Sequence, residues 1–557
     1  MDDRTEYGVS VAVAIDEGPL PGWQRIFVDR LRADPAVDLA AIIRHPPTRS
    51  GAVRRGAWTL VDAVEAGISR RILARSLIRG AVKPAMLDTR PVDIGSLDGV
   101  ADLPVLRLSH GPDREPGFDV IVDLTGRDWP DHPAGLAGHG VWALRSDHGG
   151  HEDETPLGFR AFYRNEPICT IRLVRADGSA AVASGSYSTY RWSWSLNAVL
   201  LAHRASLLVT DSLTRLGTST PSTGDDGRAP DSPRDLAQAV LAPMMCVWRL
   251  MVEMVRRALF EDRWRVLVVE GTPDGRGSAP PIVLDPPAHS YWADPFVVRR
   301  DDRCCIFFEE YPYATRRGVI SCIDIGGPGL RTPNPPLRAR RVLDRPQHLS
   351  YPFLFSHRDA LYMIPESNRS GTVELWKCTG FPDTWEKQRN MLEGVSAADS
   401  SLLHWNGKWW LFTNIDRTAL HDHCSELHLF HCEDPVVGAW LPHTRNPVVV
   451  DVRRARMAGG FLTAPDGRPV RCCQVQGRRY GESVVYCLVE EISETTYVET
   501  PLDGFADIVG DKSARHHHVA YSDGLIVADE CRRTLKLRRA LPHLRSRAGH
   551  GGQIERS

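Results

Sequence analysis

The sequence predicts a multidomain chain: an α/β domain with a doubly wound sheet, followed by an all-β domain built as a five-bladed β-propeller. Three observations predict it. The chain has 557 residues, too many for one core at roughly 100–200 residues per domain. Its first part alternates apolar strand-like runs with amphipathic helical stretches. From about Trp264 onward, short β-type runs recur between Gly, Pro and Asp turns, and several align at one internal spacing.

Val9–Ile15 is an apolar run broken only by Ser10, as expected of a buried parallel strand. A turn leads from it into amphipathic Trp23–Arg32, and further apolar runs follow at Val37–Ile43, Val120–Leu124 and Gly140–Leu144. Residues 1–216 are assigned to the α/β domain on this alternation. Residues 217–234, GTSTPSTGDDGRAPDSPR, hold almost nothing to bury and read as a flexible linker. Residues 235–262 read as a connecting helix, 263–540 as the propeller and 541–557 as a tail.

The repeat has four full copies. Asp294-Pro-Phe-Val-Val, Tyr351-Pro-Phe-Leu-Phe, Asp399-Ser-Ser-Leu-Leu and Gly459-Gly-Phe-Leu-Thr each open an apolar run. Fifteen residues after each first residue a polar group closes a second run: Glu309, Glu366, Asn414 and Gln474. A shorter fifth copy starts at His517 and ends at Asp529, and the early strand Trp264–Glu270 is expected to complete that last blade. In a propeller the innermost strand of each blade lines the channel and the next returns antiparallel, so the start of one and the end of the other share a rim. The expected result is a funnel ringed by carboxylates, amides, a Tyr and a His, with Arg456 just before the fourth copy. Carboxylates crowded away from water displace one another's pKa values, leaving one ionised as a base and another protonated as an acid. Cleavage of a glycosidic bond between two carboxyl groups needs that division. Tyr291, Trp292, Tyr351 and Tyr480 are placed to stack on a sugar, and Arg456, Gln474 and His517 to meet its hydroxyls.

WADPF followed by CCIFFEE resembles the first blade of the arabinanase, xylosidase and invertase group of propeller glycosidases. The resemblance implies that Asp294 is base or nucleophile, that Asp399 tunes it, and that Glu366 or Glu309 is the acid. SYWADPF, SYPFLF, YMIPES, AADSSLL with NGKWWLFT, and QVQGRRYGESV resemble the N-terminal propeller domain of plant glucosamine inositolphosphorylceramide transferases. That domain is not their glycosyltransferase domain, so the resemblance implies fold and an association with glycan chemistry only. DVIVDLTG, GVWALRSDHGG and GFRAFYRNEPICTIRLVR resemble the Rossmann-like N-terminal domain of formyltransferases. Active members carry Asn-x-His where this chain has VWALRSDH, with His148 displaced, which argues against formyl transfer here.

The leading functional expectation is a carbohydrate-active protein, a glycoside hydrolase or transglycosidase, whose funnel binds and cleaves or transfers a glycosyl unit. One alternative is an amino-sugar formyltransferase with the propeller as acceptor-binding domain; another is a non-catalytic glycan-binding or scaffold protein. The partner is a glycan or sugar-containing small molecule. With 68 Lys+Arg against 70 Asp+Glu there is no basic surplus for a nucleic acid. Leu236–Phe260 is interrupted by Arg249, Glu253, Arg256 and Arg257, so no membrane span is expected. MDDRTEYG lacks the features of a signal peptide, and twelve scattered Cys without a CxxC fit reduced thiols, so a cytoplasmic location is expected. No cofactor is expected beyond a single ion in the propeller channel, near His516–His518. Oligomeric state is not legible in the sequence.

Overall fold

The computed structural model describes residues 8–45, 92–97, 100, 102–107, 117–125, 137–146, 157–176, 181–216, 236–272, 281–300, 302–326, 338–503, 514–522 and 524–536. The expected linker 217–234, the tail 541–557 and His148 lie outside them. Two compact units result. One comprises residues 1–250 with 417–425 and 450–452, and the other the remainder.

The first unit is organised on a seven-stranded sheet of β1 (Val9–Asp16), β2 (Val37–His45), β3 (Val105–Arg107), β4 (Val120–Asp123), β5 (Val141–Ser146), β6 (Ile168–Arg175) and β7 (Ala181–Ser188), in the order β3-β2-β1-β4-β5-β6-β7. Strands β1 to β5 pair in parallel, and the central ones are buried along Val11–Ile15 and Val120–Val122. The last two strands pair antiparallel. The doubly wound, Rossmann-like arrangement expected here is not evident: the sheet is mixed. A connection as short as that between Arg175 and Ala181 joins only antiparallel neighbours, since a parallel crossover needs a dozen or more residues. The described helices α1 (Gly22–Ala33), α2 (Phe159–Arg164) and α3 (Trp194–Thr214) accompany this sheet. Ser193 caps α3 by accepting the Leu196 N–H at 3.2 Å. Within the same unit Arg417 grips Asp211 through two bonds of 2.8 and 2.7 Å. A fourth helix, α4 (Leu236–Leu259), follows in the chain.

The second unit is a five-bladed propeller. Four blades are consecutive meanders whose inner strands are Ser290–Arg300, Ser350–His357, Ala397–Trp405 and Arg456–Thr463; each has four strands except the third, where the short Val449–Val450 adds a fifth. The fifth is assembled from both ends of the domain. Val519–Ser522 and Leu525–Leu535 supply its inner two strands, and Phe260–Glu270 and Ile282–Leu284 its outer two. Leu525–Leu535 pairs with Phe260–Glu270 over its full length, which closes the ring and leaves no free edge there. The inner strands contact one another in sequence around the channel, and the fifth returns to the first. One apolar cluster runs between the blades, from Val266 through Trp292, Phe308, Ile364, Phe412 and Met457 to Val527.

Candidate active site

The recurring first residue of each copy has a structural reason. In blade 1 the register steps from Ala293↔Glu309 to Phe296↔Phe307, in blade 2 from Ser350↔Glu366 to Phe353↔Ile364, and in blade 3 from Ala398↔Asn414 to Ser401↔Phe412. Each inner strand thus carries one extra residue, a β-bulge. Asp294, Tyr351 and Asp399 sit in these bulges with φ of 52°, 43° and 48°. Left-handed backbone in three non-glycine residues stores strain and persists only where the surroundings hold it. The holding groups are side chains. The N–H of Asp294 donates to Asp529 Oδ2, that of Tyr351 to Asp294 Oδ2, and that of Asp399 to Glu366 Oε2, each at 3.3 Å. Each bulge is therefore tied to a carboxylate of the blade before it around the ring.

Blades 4 and 5 depart from this. In blade 4 the register steps from Met457↔Cys473 to Phe461↔Arg471, two extra residues instead of one. Gly459 lies there at φ 124°, and a Cβ on it would stand 1.9 Å from Val519 O, so only glycine fits. Its N–H donates to Tyr351 Oη at 2.9 Å, and the Tyr351 hydroxyl also contacts Ser401 Oγ at 2.8 Å and the Gly459 carbonyl. In blade 5 the inner strand begins at Val519, so His517 precedes it instead of opening it.

Two charged groups occupy the funnel. In the first, Arg456 Nε donates to Asp399 Oδ2 at 2.5 Å and its Nη2 lies 3.8 Å from Glu366 Oε2. Burial opposes ionisation of Asp399, but Arg456 and hydrogen bonds from Glu366 and Arg456 hold its pKa below the ordinary value. Burial, then the Asp399 charge, push Glu366 well above the carboxylate range. The pair divides into a carboxylate and a protonated acid. In the second group, His517 Nδ1 stands 2.5 Å from Asp529 Oδ2 and its Nε2 3.5 Å from Asp294 Oδ1. Burial disfavours the imidazolium, yet Asp529 and Asp294 raise its pKa above the ordinary value. Asp529 is held low by His517 against burial. Asp294 is raised to about 7, chiefly by burial, with Asp399 and Asp529 adding and His517 opposing. Among the described residues these three are the one set of His, Cys, Asp and Glu spaced to hold a cation, with ligand atoms within 4.8 Å. A protonated His517 between two carboxylates puts positive charge at that point.

Glu309 forms a third centre. Tyr291 Oη donates to its Oε1 at 3.3 Å, and His348 Nε2 lies 3.4 Å away. The Gly318 N–H donates to His348 Nδ1 at 2.8 Å, which places the ring hydrogen on Nε2, facing Glu309. A Cβ on Gly318 would stand 2.7 Å from Glu309 Oε1, so the pair closes over a glycine. Burial, then Asp294, push Glu309 well above its usual range.

The sequence expectations divide accordingly. Asp294, Asp399, Glu366, Arg456 and His517 come together. Trp292 does not face a sugar: it is 4% exposed and packs on Phe308 with centroids 4.8 Å apart. Side chains alternate along a strand, so its neighbour Tyr291 takes the Glu309 side. Tyr351 is buried as a strut between blades and offers no open stacking face. Gln474 is buried, with its amide 3.4 Å from Gln476 Oε1. Asn414 donates to the Glu426 and Ala455 carbonyls and accepts from the Met457 N–H, a tie between blades 3 and 4. Tyr480 is 43% exposed, under Arg456 at 5.3 Å and beside His517 at 5.4 Å, and so remains an aromatic face at the lip. Sequence reasoning left out His348 and Trp264, whose ring lies 4.0 Å from His517. It placed Asp529 on the rim without a role, although the closing position of the fifth copy already marked it.

Residues 285–520 match the family model described as glucosamine inositolphosphorylceramide transferase 1, N-terminal. The glucosamine inositolphosphorylceramide transferase 1 of Oryza sativa subsp. japonica is 29% identical over 279 residues, covering 46% of this chain and 36% of the rice protein. That of Arabidopsis thaliana is 31% identical over 238 residues, covering 41% of this chain and 30% of the relative. The chain thus spans about a third of the length of these curated relatives. Among solved structures, a family 117 glycoside hydrolase of Zobellia galactanivorans aligns at TM-score 0.30 and 11% identity, over 48% of this chain and 90% of its own. The GH43_1 enzyme of Xanthomonas citri aligns at TM-score 0.30 and 12% identity, over 45% and 88%. The matched stretch is similar to the N-terminal region of those plant transferases, and it coincides with the propeller.

Proposed function

We propose that the propeller funnel binds a glycosyl unit and cleaves or transfers it. In this reading Asp294 is the base or nucleophile, Glu366 the acid and Asp399 the group that sets Glu366. The observation that carries it is the opposite displacement of the paired carboxyls Glu366 and Asp399 within a site that also holds Asp294 at about 7. General acid and base thus exist as separate groups near neutral pH. Glu309, also held protonated, is the second acid candidate. Tyr480 offers the stacking face, and Arg456 keeps Asp399 charged. Protonated His517 supplies the positive charge at the cluster where a channel ion would sit. A reducing, cytoplasmic setting suits twelve free cysteines, ten of them buried.

A second reading, a non-catalytic glycan-binding or scaffold propeller, is favoured by the same carboxylates. Asp294, Glu366 and Asp529 each hold a neighbouring bulge N–H, and that role alone accounts for their burial. The amino-sugar formyltransferase alternative rests on the first 216 residues and is tested by tetrahydrofolate release upon adding an amino sugar. The deciding experiment is hydrolysis of a panel of aryl glycosides, furanosides included, by wild type, Asp294→Asn, Glu366→Gln and Asp399→Asn. The catalytic reading requires turnover by wild type and loss of about 10²–10⁴-fold in Asp294→Asn. Glycan binding without turnover, unchanged in Asp294→Asn, gives the site to the second reading.

A further inference from the structure

Helix α4 presents an unusual outward face. Its buried side is Ala242, Cys246 and Leu250, with Ala242 and Cys246 packed on Phe159, Phe162 and Trp194. Arg249 points the same way and donates to the Arg191 carbonyl at 3.1 Å and to that of Phe162. At about 100° per residue, Leu241, Met244, Trp248, Met251, Val255 and Leu259 fall on the opposite side. All are exposed, Met244 by 68%, Trp248 by 63% and Val255 by 57%. Val247, Val252 and Met254 widen the same arc. The charged residues Arg249, Glu253, Arg256 and Arg257 all lie off it. Exposed large apolar side chains gathered on one face mark an interaction surface.

The end of this helix is basic. Arg256 and Arg257 share Glu253 at 2.7 and 2.6 Å. Arg515 and Arg533 share Asp262 at 2.7 and 3.6 Å, and Arg515 also donates to the Tyr480 carbonyl at 3.0 Å. Arg479, exposed beside Tyr480, feels Arg533, Arg515 and Arg256 together. Five guanidinium groups thus gather where α4 ends and the funnel lip begins, against the two carboxylates Glu253 and Asp262.

We propose that the apolar face of α4 and this arginine cluster dock together on the surface of an anionic phospholipid bilayer. An interfacial helix pairs an apolar face rich in Trp, Leu and Met with flanking Arg, and lies in the headgroup plane without crossing it. No described helix is long and apolar enough to cross a membrane. A second copy of the chain would cover the apolar arc but bring more arginine to the cluster; anionic headgroups satisfy both. The docking does not rest on the glycosyl reading.

The test is co-sedimentation of the full chain with vesicles of phosphatidylcholine alone and of phosphatidylcholine with phosphatidylglycerol. Binding to the mixed vesicles, weakened by salt, is expected. Trp248→Glu lowers it roughly tenfold or more by placing a charge in the apolar arc. Arg479→Ala lowers it about fivefold, from about 1 kcal/mol per basic residue at the surface. Circular dichroism confirms that each variant is folded, and Val255→Ser replaces Trp248→Glu if that one is not. Two outcomes overturn the proposal: equal, salt-independent binding to both vesicles, or no vesicle binding by a chain that is dimeric until Trp248→Glu makes it monomeric. Either is read without any glycosidase assay, so failure here leaves the funnel chemistry untouched.

Discussion

Blades 1 to 3 and blades 4 and 5 solve one geometric problem in two ways. All the inner strands must bend at the same rim. The first three do so with one extra residue and a polar or aromatic side chain at positive φ: Asp294, Tyr351 and Asp399. The fourth uses two extra residues and Gly459, because the Val519 carbonyl occupies the space of a Cβ. The fifth presents His517 ahead of its strand. Blades 1 to 3 thereby supply Asp294, Glu309, Glu366 and Asp399, while blades 4 and 5 supply the cations Arg456 and His517, the latter beside Asp529, that divide those carboxylates into charged and neutral forms. The repeat sets the backbone, and departures from it set the electrostatics.

The comparison breaks most sharply at Gly459. Gly459→Ala forces a Cβ into the Val519 carbonyl, and by about 3 kcal/mol or more it lowers the unfolding free energy in urea, or leaves the chain insoluble. A change below about 1 kcal/mol shows that blades 4 and 5 are not held this closely. Next is Tyr351→Phe. It removes the acceptor of the Gly459 N–H and the partner of Ser401, leaving a buried donor unpaired, and costs about 1–3 kcal/mol in the same measurement.

The third test is in pH dependence. Asp294 has its folded pKa raised from 3.8 to about 7. Its protonated form is therefore favoured by folding, so its contribution is fully present below the unfolded value near 4 and is lost as pH rises to about 7. Asp399 and Asp529 have the opposite sign: their stabilisation holds above about 4 and is lost as pH falls through their lower folded values. Unfolding of wild type against Asp294→Asn between pH 4 and about 7 isolates the first contribution. The difference should grow less favourable to wild type with rising pH, and a flat difference places Asp294 in water. The same ionisation gives the acidic limb of kcat/KM near 7 if Asp294 is the base.

The blades were legible because the period-2 pattern and turn residues repeat at fixed spacing, and the pairs Ala293↔Glu309, Ser350↔Glu366 and Ala398↔Asn414 turn that spacing into ladder register. Which aromatic faced the funnel was not legible. Trp292 and Tyr291 are both apolar enough to be buried, and one residue of register exchanges their faces. The mixed sheet of the first unit was missed because β6 and β7 do not show the continuous apolar runs of β1 and β4: ICTIRLVR alternates apolar with polar residues and AVASGSYS is rich in Ser. The outward face of α4 was seen as an apolar stretch interrupted by charges; its division into a clean apolar side and a polar side appears only when the helical angle is applied against a packed partner.

The sequence by itself determined the five-fold repeat of strand and turn and the stock of carboxylates at its recurring positions, because turn chemistry and strand alternation act over a few residues. The tertiary structure alone decided which carboxylate keeps its proton. Glu366, Asp399 and Arg456 come from three blades, and Asp294, His517 and Asp529 from the first and the last. A pKa is set by burial and by charges within a few ångströms, and ring closure brings together groups that lie up to 235 residues apart along the chain.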